Sequence, residues 1–217
     1  MNWTEERIGK FTASEIWKLF VEPRSKKETV SETTKTYILE KAVEELTGFR
    51  KQITNKAMEH GIINEAEAFE QFKHLTKQDW QYTSKQFFSI DEFSGASPDG
   101  VLYHDMDVIA VCDIKCPQPL TFFEIKLDAD GPVENKYFYQ LQMQMMATKC
   151  EVGYLIYYLA SEFVDTYTGE VDYKFDLPLE QRIIIKTIQK DDTVCNMIQE
   201  KIAMANDLKQ TYLKSLS

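Results

Sequence analysis

The sequence predicts a mixed α/β fold, a central mixed β-sheet flanked by helices, and three observations carry that expectation. Apolar residues recur at helical spacing through the first third of the chain. Short period-two stretches separated by Gly, Pro, Asp and Ser dominate residues 80–115. Beyond Pro119 an amphipathic helical stretch precedes a nearly continuous apolar run, Val152–Leu159, which suits an internal strand. At 217 residues the chain can bury one sizeable core, so 1–217 is expected to be a single domain.

The elements follow in order. Thr12-Ala-Ser14-Glu15 reads as a helix start, with Ile16, Leu19 and Phe20 on one face until Pro23 breaks the pattern. A loop runs to about Val30, and a second helix is expected from Ser31 to Leu46, with Thr47-Gly48 as its stop. A third helix is expected from Asn55 to Leu75, its apolar face made of Met58, Ile62, Ala66, Phe69 and Phe72, with Glu65 beside that face. Strands are expected at Trp80–Thr83, Gln86–Ile90, Gly95–Tyr103 and Asp107–Lys115, and Pro119 fits the first turn of a short helix. Glu134–Thr148 carries Tyr137, Leu141 and Met145 at four-residue steps, a helix rich in Gln and Met. Tyr173–Leu177 reads as a further strand, and Leu179–Leu213 as helix with a break near Asp191-Asp192.

Composition narrows the function. No apolar run approaches the ~18–20 residues that would span a bilayer, and the N-terminus lacks the basic-then-apolar order of a signal peptide. A cytoplasmic protein is therefore expected. Cys112, Cys116, Cys150 and Cys195 have irregular spacing, and His60, His74 and His104 form no metal-ligand pattern; reduced thiols are expected rather than zinc or iron–sulfur ligands. The net charge of −10 argues against a globally basic nucleic-acid coat. Residues 7–27, however, hold six basic residues against two acidic, a local stripe able to meet phosphate or simply to be solvated.

The chemistry concentrates in residues 95–120. Asp99 stands in Ser-Pro-Asp-Gly, and Asp113 and Lys115 flank Ile114 at the end of an apolar run. A strand alternates faces, so Asp113 and Lys115 share one, and Asp99 reaches it if the two strands form a hairpin. Paired carboxylates suit a hard cation such as Mg²⁺. Lysine can position a water or offset charge on a phosphorane-like transition state, and Glu65 is the natural third carboxylate. For a lone D-x-K, a surface ion pair is the commoner explanation.

Ser97-Pro98-Asp99-Gly100 followed by Asp113-Ile114-Lys115-Cys116-Pro117 resembles the signature of the PD-(D/E)xK nucleases in its lambda-exonuclease form. Further blocks resemble that family in the same order: Arg7-Ile-Gly9-Lys-Phe-Thr12-Ala13-Ser14-Glu15, Pro23-Arg24-Ser25, Gly61 to Glu65, and Tyr137-Phe-Tyr-Gln140-Leu-Gln142. The resemblance implies a restriction-endonuclease-like core and a 5′→3′ exonuclease that digests one strand of linear double-stranded DNA, leaving 3′ overhangs for phage-type recombination. It implies two Mg²⁺ ions per site, with Mn²⁺ an alternative, held by Asp99, Asp113, the Ile114 backbone carbonyl and Glu65. Lys115 would handle the nucleophilic water, Gln140 would stand at the edge of the site supported by Tyr137, and Arg7 and Ser14 would hold the 5′-terminal phosphate. It further implies double-stranded DNA ends as partner, a homotrimeric ring, a single-strand annealing recombinase alongside, no membrane, and a phage or prophage protein in a bacterial cytoplasm. Asp113 departs from the pattern, since the nearest relatives carry Glu there. A structure-specific or restriction-like endonuclease of the same fold, and a non-catalytic DNA-binding relative, are the alternatives.

Overall fold

The computed structural model describes residues 3–50, 56–164 and 171–216. In chain order the elements are β1 (Phe11–Thr12), a 3-10 helix (Ala13–Phe20), α1 (Glu32–Thr47), α2 (Lys56–Thr76), β2 (Trp80–Tyr82), β3 (Phe88–Ser89), β4 (Ser94–Ala96), β5 (Gly100–His104) and β6 (Asp107–Lys115). There follow α3 (Pro119–Leu127), α4 (Asn135–Thr148), β7 (Val152–Tyr158), β8 (Glu162–Val164), β9 (Val171–Lys174), α5 (Leu179–Arg182), β10 (Ile183–Gln189) and α6 (Asp192–Leu216).

The central sheet has the order β10-β7-β6-β5-β2. Its β6/β7 pair is parallel and the other three are antiparallel, which makes it the mixed sheet expected. The parallel pair needs a crossover, and α3 and α4 supply it. Side chains alternate along the strands: Leu102, Ala110, Cys112, Ile114, Ile156 and Tyr158 pack with Phe69 and Phe72 of α2. Val101, Val111, Leu155 and Tyr157 pack with Phe122, Leu141 and Met145 of α3 and α4. Burial on both faces explains why β7 reads as one apolar run. A third cluster joins Phe11, Ile16 and Leu19 to Tyr37 and Ile38 of α1, Met143 of α4, and Ile198, Ile202 and Ala205 of α6. All four cysteines are free and buried, and among the described residues no helix is long and apolar enough to cross a membrane.

Several elements depart from expectation. The stretch Gly95–Tyr103 divides at Pro98-Asp99 into β4 and β5, which lie in different sheets; proline cannot donate to a ladder, so pairing stops there. Residues 183–189, expected as helix, form β10, because the β-branched run Ile183, Ile184, Ile185, Thr187, Ile188 pairs along all of β7. The break at Asp191-Asp192 is real, and Asp191 Oδ1 accepts from the Thr193 and Val194 N–H groups to start α6. The strand expected at Tyr173–Leu177 is β9, two residues earlier, in a ribbon with β8 outside the main sheet. The expected start of α2 at Asn55 lies outside the described residues. Its buried face is the expected one only in its second half: Phe69 and Phe72 are buried, but Met58, Ile62 and Ala66 are exposed, while His60, Asn64 and Ala68 are buried.

One glycine fixes how α2 meets the sheet. A Cβ on Gly100 would land on the Phe69 ring and within 2.8 Å of Cys112 Sγ, and neither buried group can retreat. Gly100→Ala is therefore expected to cost about 1–3 kcal/mol through overpacking, read as a lower urea midpoint.

Candidate active site

The charged residues gather where β5 begins and β6 ends. The Asp99 N–H donates to the Cys112 carbonyl at 3.0 Å, continuing the β5/β6 ladder. Its side chain then takes the next place in that ladder, Oδ2 accepting from the Ile114 N–H at 2.6 Å. Pro98 and Asp99 are held from the other side by Thr83, whose N–H donates to the Asp99 carbonyl at 2.8 Å and whose hydroxyl donates to the Pro98 carbonyl at 3.0 Å.

Asp113 is 1% exposed and turns towards α4. Its Oδ1 accepts from the side-chain amides of both Gln140 and Gln144. Its Oδ2 lies 2.7 Å from Lys115 Nζ, as same-face alternation predicts. That contact is off-axis, so Oδ2 is buried without an aligned hydrogen bond. Lys115 also lies over the Tyr137 ring, 5.1 Å from its centroid. Ile114 points the opposite way, into the α2 core. Glu65 is half-buried on α2, and Tyr82 donates to its Oε1 at 2.7 Å.

Electrostatics tie these groups into one cluster. Loss of water, then the carboxylates of Asp113 and Glu65, push the Asp99 carboxyl well above the usual range, against the pull of Lys115 and the Ile114 N–H. Burial alone would lower the Lys115 ammonium, but Asp113 and Asp99 reverse this and hold it above its ordinary value. Partial burial, with the Glu65 carboxylate opposing the pull of Ser84, pushes the Tyr82 phenol up to about 12. The result is an acidic cluster with one lysine, short of positive charge.

Arg7 lies on the adjoining side. Its guanidinium stacks on Trp3 at 4.3 Å, and Trp3 Nε1 donates to Ser97 Oγ, two residues before Asp99. Arg7 Nε is buried without a hydrogen-bond partner among the described residues. Burial and the neighbouring Arg50 lower its pKa to about 10. The Glu15 and Glu44 carboxylates oppose this shift without overcoming it. The loop that carries Arg7 is gripped at three backbone groups. Arg50 donates to the Arg7 carbonyl, the Gly9 N–H donates to Glu44 Oε2, and Lys209 donates to the Gly9 carbonyl. Gly9 itself has φ +69, where a side chain would be strained.

Asp99, Asp113, Lys115, Glu65, Gln140 and Tyr137 thus converge, with Ile114 between the two aspartates. Ser14 is exposed in the first turn of the 3-10 helix. Its neighbour Glu15 makes the link to the Arg7 loop, through Arg50 at 3.0 Å. Gln142 serves the fold instead, bridging the Gln189 carbonyl and the Asp191 N–H. The basic stripe divides: Lys18 pairs with Glu15, while Arg24, Lys26 and Lys27 stand exposed in the loop before α1. Gln144 was missed from sequence, although its four-residue spacing from Gln140 places both amides on one helix face.

The donor set fits a hard divalent cation. Carboxylate oxygens are the right ligands, Mg²⁺ commonly takes one or two carboxylates with water completing the shell, and Asp113 Oδ2 is a buried acceptor without an aligned donor. Among the described residues no three His, Cys, Asp or Glu side chains close around one point as placed, so the core of the site is the Asp99–Asp113 pair.

A mixed sheet crossed by α4, with a carboxylate pair and a lysine at the β5/β6 end, defines a protein of the restriction-endonuclease-like α/β class. Residues 2–151 match the YqaJ-like viral recombinase domain, and the chain belongs to that family. In structure it is similar to "alkaline exonuclease (LHK-Exo)" from Laribacter hongkongensis, at 22% identity and a TM-score of 0.78, over 99% of this chain and 94% of that one. The same enzyme in complex with dAMP gives 23% identity and 0.77, over 99% and 94%. A phage related exonuclease from Haemophilus somnus 129PT gives 21% and 0.73, over 96% of each chain. No curated protein matches the sequence.

Proposed function

We propose that the protein is a metal-dependent deoxyribonuclease, a 5′→3′ exonuclease that degrades one strand of linear double-stranded DNA and leaves 3′ overhangs for phage-type recombination in a bacterial cytoplasm. The observation that carries this reading is the Asp99–Ile114–Asp113–Lys115 constellation, in which a buried acidic pair and a charged lysine share the end of two paired strands. Family membership and likeness to exonucleases of the same fold support it.

Asp99, Asp113 and the Ile114 carbonyl would hold two Mg²⁺ or Mn²⁺ ions, with Glu65 completing the set. When bound, the metal supplies Lewis-acid stabilisation of the scissile phosphate and a nucleophilic water at neutral pH. The chain's own groups do the rest. Gln140 and Gln144 fix the Asp113 rotamer, and Lys115, held charged, orients the water and offsets negative charge as the phosphoryl group is attacked. Tyr137 limits where the lysine can swing. Arg7 and Ser14 would receive the 5′-terminal phosphate, for which the unpartnered Arg7 Nε is suited. A homotrimeric ring around the duplex and an annealing recombinase as partner belong to the same proposal.

The test is digestion of end-labelled linear duplex in Mg²⁺, with and without a 5′-phosphate, beside covalently closed circular DNA. The expected result is 5′→3′ loss of label, faster on the phosphorylated end, with the circle intact. Cutting of the circle would replace this reading with an endonuclease. Absence of metal-dependent cleavage of any DNA would make the protein a binding module.

A further inference from the structure

Glu65 poses a problem of placement. It sits on a helix surface among exposed neighbours, Ile62, Ile63 and Ala66, yet its carboxylate acts on Asp99 across the end of the sheet. A glutamate in such a position gives up rotamer freedom if it is to point one way, so something must select that rotamer. Backbone geometry does not, since α2 fixes only the Cβ.

Tyr82 is the group that does. Its hydroxyl donates to Glu65 Oε1 at 2.7 Å, which ties down one of the two carboxylate oxygens. The ring packs on Phe69, centroids 5.0 Å apart, one helical turn after Glu65, so ring and hydroxyl both follow the line of α2. Tyr82 also stands at the end of the sheet that carries Asp99. It stands in register opposite Gly100, the residue after Asp99, and the next residue, Thr83, makes both hydrogen bonds that hold the Pro98-Asp99 turn. The end of β2 therefore fixes the backbone of one carboxylate and the side chain of another. Tyr82 is 46% exposed in total, and its hydroxyl is not needed to fill a core.

We propose that Tyr82 is a positioning residue for the metal site: its hydroxyl orients Glu65 so that the third carboxylate adds to the cation affinity of the Asp99–Asp113 pair. The proposal rests on the metal-dependent reading above. Loss of an outer hydrogen bond to a metal-site carboxylate commonly costs about 10–100-fold in metal affinity. Tyr82→Phe removes the oxygen and keeps the ring on Phe69, so the fold is retained.

The experiment is calorimetric titration of Mg²⁺, and of Mn²⁺, into wild type, Tyr82→Phe, Glu65→Ala and the double variant, each without DNA. The expected result is about tenfold weaker cation binding in Tyr82→Phe and no further loss when Tyr82→Phe is added to Glu65→Ala, since the acceptor is already gone. DNA digestion by Tyr82→Phe should then recover as Mg²⁺ is raised. Unchanged cation affinity in Tyr82→Phe, or an equal loss in the Glu65→Ala background, overturns the proposal and leaves the metal reading standing. Weaker binding of a DNA end in chelator would mean that the hydroxyl touches DNA, and also overturns it. A wild-type protein that takes up neither cation removes the metal reading and this proposal together.

Discussion

Lys115→Ala is expected to lower the rate of linear-duplex digestion by about 10²–10⁴-fold, the range over which a positioned proton-handling group acts, and to lower stability as well. The two losses have different causes and can be separated. Stability falls because Asp113, almost wholly buried, would lose the cation 2.7 Å away; breaking a buried pair costs about 3–5 kcal/mol. The figure here should fall below that range, because a quarter of the Lys115 side chain is exposed and water screens the pair. Adding Asp113→Asn removes the stranded carboxylate while keeping an acceptor for Gln140 and Gln144. The double variant should therefore regain stability in urea unfolding over Lys115→Ala alone, yet digest no DNA. A protein carrying both changes that still digests linear duplex would show that these residues are not the site.

Period-two alternation is what made Asp113 and Lys115 readable, because a strand leaves no freedom about which residues share a face. Asp99 was readable from its place in Ser-Pro-Asp-Gly just before the Asp113 strand, which a hairpin brings to the same end, whereas the division of Gly95–Tyr103 at Pro98 was not. What escaped depends on pairing across long sequence separations. Residues 183–189 follow a short helical turn and alternate with Lys186 and Gln189, so periodicity alone did not separate strand from helix; β7 decides it. The first turns of the α2 face were misassigned because Met58 and Ile62 are apolar but exposed, whereas His60 and Asn64 are polar but buried and hydrogen-bonded to each other. Hydropathy ranks side chains by transfer and does not register a partner that satisfies them. Tyr82 and Gln144 were passed over for the same reason, each acquiring its role from one contact with a residue 17 or 31 positions away.

The second large effect concerns a residue that no motif marked. Lys41 is 1% exposed on α1, 2.9 Å from Glu44 Oε1 and 3.4 Å from Glu15 Oε2. Glu44 in turn accepts the Gly9 N–H, and Glu15 holds Arg50, which holds the Arg7 carbonyl. Lys41→Met fits the space, since methionine is unbranched and adaptable, but it leaves two carboxylates short of a cation. The expected loss is about 3–5 kcal/mol for a broken buried pair, nearer the lower end because Glu15 keeps Lys18 and Arg50. The pH dependence distinguishes this cause from simple misfit. Burial alone would raise the Glu15 carboxyl, but Lys41 first, then Lys18 and Arg50, hold it below its ordinary value. A carboxylate depressed in the folded state adds stability above its unfolded pKa and loses it as pH falls through the folded value. Wild type should therefore lose this contribution on acidification, and Lys41→Met has less of it to lose. Urea midpoints should show a gap between the two proteins that is widest near neutrality and narrows as pH falls through the carboxylate range; a gap constant with pH would mean a packing defect instead. Because the same network grips the loop at Arg7 and Gly9, Lys41→Met should also blunt the preference for a 5′-phosphorylated end while leaving the Asp99–Asp113–Lys115 cluster in place.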